Sequence, residues 1–232
     1  MTITPKPLMY FFIAVLIALL EIPAGQAAGD LNAAIRDLQH GWAQINYKAA
    51  KSEKVSRFGE LASQAAAVHD QYPDRAEPLV WEAIILSTEA GAKGGFGALK
   101  LVKKARKLLL AAEKIDPNTL NGSIYTSLGS LYYQVPGWPI GFGDKKKAER
   151  YLKKALEINP NGIDPNYFYA DYLYRQKHYA QAAEYAQKAL QAPARPDRPV
   201  ADAGRRQEAQ SLLDKIHQKR SQLEWAPTRH IA

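Results

Sequence analysis

Cysteine is absent from all 232 residues. Disulfide scaffolds, thiolate zinc sites and cysteine nucleophiles are therefore excluded together. The five histidines, His40, His69, His178, His217 and His230, show neither His-x3-His nor His-Glu-x2-His spacing. Each reads as a surface or helix-end residue, and no metal site is expected. No Gly-x-Ser-x-Gly elbow is present, and neither glycine-rich stretch runs on into a Gly-Lys-Ser/Thr phosphate loop. Gly94-Gly-Phe-Gly97 follows no strand pattern, so it is not a dinucleotide fingerprint. With no catalytic constellation and no cofactor motif, the reading is of a protein that does not catalyse.

Long hydrophobic runs are also scarce. The single one, Leu8 to Leu20, follows Lys6 and precedes Pro23 and the small residues Ala24-Gly25-Gln26-Ala27-Ala28. It is shorter than the roughly 20 residues that span a bilayer. A positive end, a short apolar core, a helix breaker and a small-x-small exit make a secretory signal peptide. Gly25 and Ala27 supply the small side chains at the exit, so residues 1–27 are expected to be removed and the mature chain to begin at Ala28. No cysteine follows the run, so the exported protein is not a lipoprotein. Periplasmic or otherwise exported localisation follows as an expectation.

What is present is repetition. Related helix endings recur at Val68-His-Asp-Gln-Tyr-Pro73, Ala112-Glu-Lys-Ile-Asp-Pro117, Ala155-Leu-Glu-Ile-Asn-Pro160 and Ala189-Leu-Gln-Ala-Pro193, with prolines 44, 43 and 33 residues apart. A period of about 34 with Ala-Leu-x-x-x-Pro endings is the tetratricopeptide pattern, and the longer periods read as the same unit with insertions. Leu128-Gly129 and Tyr132 hold the spacing of a first helix, and Ala148, Leu152, Ala155 and Pro160 that of a second. Ala170, Ala182, Ala189 and Leu190 repeat those offsets in the fourth unit. Trp81, Ala83, Ala105, Leu109 and Ala112 mark the second, and Trp42 and Phe58 a degenerate first. Terminal units degenerate because one side has no neighbour to match. The fold class is therefore all-α: a tetratricopeptide-like helical-hairpin solenoid over residues 28–223, about four repeats plus a C-terminal capping helix, with a frayed tail at 224–232.

Capping residues punctuate this pattern. Asp164-Pro165, Ser123 and Asp144 are the expected N-caps. A last helix from about Ala201 to Gln222 carries Ala209, Leu212, Leu213 and Ile216 on one face, reached through the proline-rich link Ala192 to Pro199. The second and third units carry their extra residues between paired helices, as the glycine-rich loops Gly91 to Gly97 and Pro136 to Gly143.

The charge is biased, with 31 Lys and Arg against 23 Asp and Glu, a net +8. The runs Lys103-Lys104, Lys153-Lys154 and Arg205-Arg206 read as solvated faces. Lys145, Lys146 and Lys147 stand in a first helical turn, where the dipole disfavours cations. Together with free amides and a glycine-rich loop they would suit an anion. An exported chain meets little nucleic acid, and no nucleic-acid partner is expected.

Leu128 to Asp144 (Leu-Gly-Ser-Leu-Tyr-Tyr-Gln-Val-Pro-Gly-Trp-Pro-Ile-Gly-Phe-Gly-Asp) and Asn159 to Tyr169 (Asn-Pro-Asn-Gly-Ile-Asp-Pro-Asn-Tyr-Phe-Tyr) resemble the T component of TRAP transporters, the TatT family. The resemblance covers about Trp81 to Leu213. It implies a periplasmic tetratricopeptide-type protein that forms a ring-like homo-oligomer with ligand-holding cavities. It also implies a periplasmic solute-binding protein as partner and an organic acid or hydrophobic ligand. Members of the family are lipoproteins, and here this chain departs from them.

Tetratricopeptide first helices turn their second, fifth, ninth, twelfth and thirteenth positions to the concave face. Counting from Gly129 and Ala170 as position eight gives Ser123, Thr126, Ser130, Tyr133 and Gln134, then Asp164, Tyr167, Asp171, Tyr174 and Arg175. Hydroxyls, rings and one Arg suit a ligand or partner groove. The loops would shape its mouth through Phe96, Trp138 and Phe142, with Lys145, Lys146 and Lys147 meeting an anionic head. The functional expectation is an accessory component of solute uptake that holds a small organic, anionic ligand and docks a solute-binding protein. The alternative is a cell-envelope scaffold that binds peptides or protein segments.

Overall fold

The computed structural model describes residues 24–225. Residues 1–23, most of the segment expected to be removed on export (1–27), and the tail beyond Trp225 lie outside the described residues. The exit residues at Ala24 to Ala28 fall in the first turns of helix α1 (Ala24–Lys48).

Each small-residue pattern becomes a helical hairpin. Helix α1 pairs with α2 (Lys54–Gln71), α3 (Ala76–Lys93) with α4 (Gly95–Ile115), α5 (Ser123–Gln134) with α6 (Lys145–Ile158), and α7 (Ile163–Arg175) with α8 (Tyr179–Gln191). A single long helix, α9 (Pro199–Trp225), follows. Among the described residues there is no strand, so the architecture is the tetratricopeptide-like solenoid that the repeat pattern implies.

The hairpin α5–α6 shows why the pattern works. Asp144 caps α6, its carboxylate accepting from the Lys146 and Lys147 backbone N–H groups at 3.0 Å. Ala148, Leu152 and Ala155 then repeat at helical spacing and are fully buried. A Cβ on Gly129 would lie 2.5 Å from Leu152 Cγ, so only glycine lets α5 come this close. Burial of a side chain such as Leu152 contributes about 1.5–3 kcal/mol. Ala105, Ala112, Ala182 and Ala189 play the same close-approach role in α4 and α8.

The first helices α1, α3, α5 and α7 touch one another in order and form an inner layer, with α2, α4, α6 and α8 outside it. Helix α9 does more than cap. Ala209 packs with Ile163, Ala189 and Ala192 against the fourth unit. The helix and the link before it also reach the first unit: Tyr47 Oη donates to Glu208 Oε2 at 3.3 Å, and the His40 ring bonds the Asp197 carbonyl at 2.7 Å. Gly204 is needed at this crossing, because a Cβ there would strike the Tyr47 ring. The solenoid is therefore closed on itself by its last helix.

Four local expectations are corrected. Gly91 to Gly97 is not a loop: α3 runs through Lys93 and α4 starts at Gly95, leaving Gly94 alone as the break, with φ +66°. Lacking a proline, the stretch is free to extend both helices. Ser123 is the first residue of α5 rather than its cap, and its hydroxyl donates to the Leu120 carbonyl at 2.6 Å. Asp164 lies inside α7, which begins one residue earlier at Ile163, and its carboxylate is engaged elsewhere. Helix α9 is also longer than expected at both ends.

Candidate functional site

The inner layer and α9 enclose a groove of about 910 Å³. Eight of the ten concave positions line it: Ser123, Thr126, Ser130 and Gln134 from α5, and Asp164, Tyr167, Asp171 and Arg175 from α7. The two exceptions are rings. Tyr133 sits behind the lining, packed edge-on to Tyr172, with its hydroxyl donating to Asp171 Oδ2 at 2.8 Å. Burial first, and then the Asp171 charge, push that phenol well above its ordinary pKa. Tyr174 turns toward α8 and packs on Tyr179.

The loop residues are placed elsewhere. Phe96, Trp138, Phe142 and Lys145 to Lys147 do not line the groove. Pro136 to Gly143 forms a tight turn at the solenoid edge, closed by the Gly141 N–H to the Gly137 carbonyl at 3.0 Å and the Gly143 N–H to the Pro136 carbonyl at 2.9 Å. Its Trp138 is 89% exposed, and is neither a core plug nor a groove residue. Phe142 folds back on Tyr132, with the Arg106 guanidinium 4.2 Å over its ring. Phe96 is 92% exposed on the first turn of α4. The anion seat expected at Lys145 to Lys147 is also filled from within, since Asp144 already occupies the amide donors of Lys146 and Lys147.

Hydroxyls give the α5 and α3 walls a common character. Thr126 donates to the Gly122 carbonyl, Ser130 to that of Ser127, Ser87 to that of Ala83 and Thr88 to that of Ile84. With their single protons spent on backbone, these groove-lining hydroxyls can meet a ligand only as acceptors, and that of Thr88 already accepts from the Trp42 indole. Just before α5, Leu120 and Asn121 hold φ values of +52° and +49°. This left-handed turn costs a bulky residue such as Leu about 1–3 kcal/mol and brings both side chains to the groove.

The charged cluster at the α7–α9 seam is the part that the basic-run reading missed. Asp164 accepts from Arg195 Nη1 and from Arg205 Nε, both at 2.8 Å. Asp202, itself buried, accepts from the backbone N–H and Nε of Arg195 at 2.7 Å. Arg205 also pairs with Glu208, and its guanidinium lies 4.6 and 4.7 Å over the rings of Tyr167 and Phe168. Burial works to raise the Asp164 carboxyl, but Arg205, Arg195 and Arg198 outweigh it and hold the group well below the usual carboxylate range. Burial pushes the Tyr167 phenol up to about 12, against the opposing pull of Arg205. The run Arg205-Arg206 is not a solvated face, since Arg205 is only 8% exposed. The signal that marks it is periodicity: Arg198, Asp202, Arg205 and Glu208 recur every three or four residues along one face.

Opposite this seam, α1 and α3 supply Trp42, Trp81 and Ile84. The indole of Trp42 donates to Thr88 Oγ1 at 2.9 Å and stands edge-on to Trp81. Away from the groove, the buried Glu82 carboxylate is held by Lys104 at 2.6 Å and by the His69 ring at 3.0 Å, which ties α2, α3 and α4 together. Among the described residues no helix is long and apolar enough to cross a membrane.

No family model and no curated protein matches the chain. A solved structure reported as the functional characterization of Pseudomonas aeruginosa pilF is similar at 15% sequence identity over 87% of this chain and 95% of that one, with a TM-score of 0.34. Likeness of that order carries no functional argument.

Proposed function

We propose that this protein is an exported, non-catalytic binding protein whose closed groove holds a small organic solute. The observation that carries the reading is the groove itself: about 910 Å³, with one aromatic wall, hydroxyl acceptors along its length and a fixed charged seam. Ligand pockets typically have this volume and this mixture of apolar walls and a few fixed polar groups. In the cell it would serve a TRAP-type uptake system as its T component, handing solute to a periplasmic solute-binding protein, and would do so as a homo-oligomer.

Native mass spectrometry of the purified full-length protein tests the reading. A small molecule retained in stoichiometric amount, and lost on Tyr167→Ala or Arg175→Ala without a change in melting, is the expected result. Protein that retains nothing, or a retained molecule that survives both substitutions, overturns it. A retained peptide would instead favour the envelope-scaffold alternative.

A further inference from the structure

We infer that Trp81 and Arg198 form a carboxylate-binding subsite at one end of the groove. The inference rests on the proposal that the groove holds a ligand, and specifies the chemistry of that ligand.

Two hydrogen-bond donors carry it. Trp81 Nε1 and Arg198 Nε are both buried and both lack a hydrogen-bond partner. They belong to touching side chains, the guanidinium carbon lying 5.2 Å from the indole centroid, and both residues line the groove. Trp81 is only 4% exposed, so its N–H cannot be satisfied by bulk solvent. The other buried polar atoms without a partner, on Tyr125 and Asn166, belong to residues that do not line the groove. A buried donor left unpaired is destabilising, so two on touching side chains of one cavity wall call for a shared acceptor. Trp42 makes the contrast: its indole N–H, one ring away, is satisfied by Thr88.

Among the described residues the Arg198 guanidinium is itself without an ion-pair partner: Asp164 is held by Arg195 and Arg205, Asp202 by Arg195 and Arg206, and the adjacent Asp197, which also lines the groove, is not bonded to it. Burial, and then the Arg195 charge, lower the Arg198 pKa from its ordinary value, the carboxylates opposing. A guanidinium this desolvated and this poorly neutralised favours an anion. The Arg is also held in place. Its N–H donates to the Arg195 carbonyl at 2.9 Å, its carbonyl accepts from the Asp202 N–H at 3.0 Å, and Pro199 follows it.

An oxyanion bridging Trp81 Nε1 and Arg198 Nε would have its body beside Trp42 and Ile84, so the fitting ligand joins a carboxylate to an apolar chain or ring. Two sources present that chemistry, a free organic acid and the C terminus of a hydrophobic peptide.

Isothermal titration of the full-length protein with matched probes separates them. Octanoate is compared with octanamide, and a hydrophobic tetrapeptide with a free C terminus is compared with its amidated form. In at least one pair the acid should bind ten-fold or more tightly than its amide, and the pair that discriminates identifies the source. Arg198→Gln should erase the discrimination, and Trp81→Phe, which keeps the ring and loses the N–H, should weaken the acid by about ten-fold. Arg198→Met should abolish acid binding while leaving the melting temperature unchanged or raised, which a purely structural arginine would not do. Equal affinity for acid and amide in both pairs, absence of binding included, overturns the subsite. So does acid binding that survives Arg198→Gln at wild-type strength. If those results came with a neutral solute still retained in the groove, the ligand-binding proposal would stand without the subsite; a groove that retains nothing defeats the proposal itself.

Discussion

Where α9 meets α7, each arginine has a carboxylate: Arg195 and Arg205 share Asp164, and Asp202 and Glu208 complete the set. Where the link before α9 meets α3, Arg198 faces the Trp81 indole and forms no ion pair among the described residues. The first seam is charge-balanced and fixes the helix against the solenoid. The second leaves positive charge and donors unspent beside an aromatic wall. Arginine therefore serves two purposes within one short stretch, and the neighbouring partners, not the residue type, decide which. A paired buried arginine is a structural joint, whereas an unpaired one on a cavity wall is a binding group.

That contrast can be broken by substitution. Arg205→Met should be the most damaging change, costing about 3 kcal/mol in denaturant unfolding because it removes one of the two guanidinium partners of Asp164 and leaves Glu208 without its own. Equal damage from Arg198→Met would dissolve the distinction between the seams.

Acid sharpens the same comparison. Folded Asp164 ionises well below an ordinary carboxylate, so its contribution to stability is complete above about pH 4 and is lost as pH falls further toward its own depressed pKa. The denaturant midpoint should fall below pH 4, and Asp164→Asn, lower from the start, should fall less steeply across that range.

Smaller effects are expected away from the charges. Gly204→Ala places a methyl group against the Tyr47 ring and should cost about 1–3 kcal/mol as α9 is pushed off α1. Trp138→Ala should change unfolding by no more than about 0.5 kcal/mol, since the ring is 89% exposed. A loss near that of a core tryptophan would mean that the edge loop is structural after all.

The hairpins were legible because they rest on local rules. Gly129, Ala148 and Ala155 announce a close helix pair through size and spacing alone, and eight of the concave positions follow from counting along α5 and α7. Two neighbouring stretches show where such rules stop. Pro136 and Pro139 force a loop, whereas Gly91 to Gly97 only permits one, and there the helices extended instead. Asp164 looked like a cap because Pro165 follows it, but its Arg195 and Arg205 partners lie 31 and 41 residues away, beyond any local signal. The return of α9 to α1 was hidden for the same reason. Its apolar face shows that it packs, and nothing along the helix shows against which end of the chain.

That return changes how the molecule must assemble. In an open solenoid each repeat touches only its neighbours, so ends can fray and structure can spread from any point. Here contacts between residues 157 and 161 positions apart join the first helix to the last. Closing so long a loop carries an entropic cost that is met before the contacts form. Until the final helix docks, the early hairpins have one side of α1 bare and the groove does not exist. The four repeats then gain or lose their structure as one cooperative unit, with α9 as the last piece to arrive.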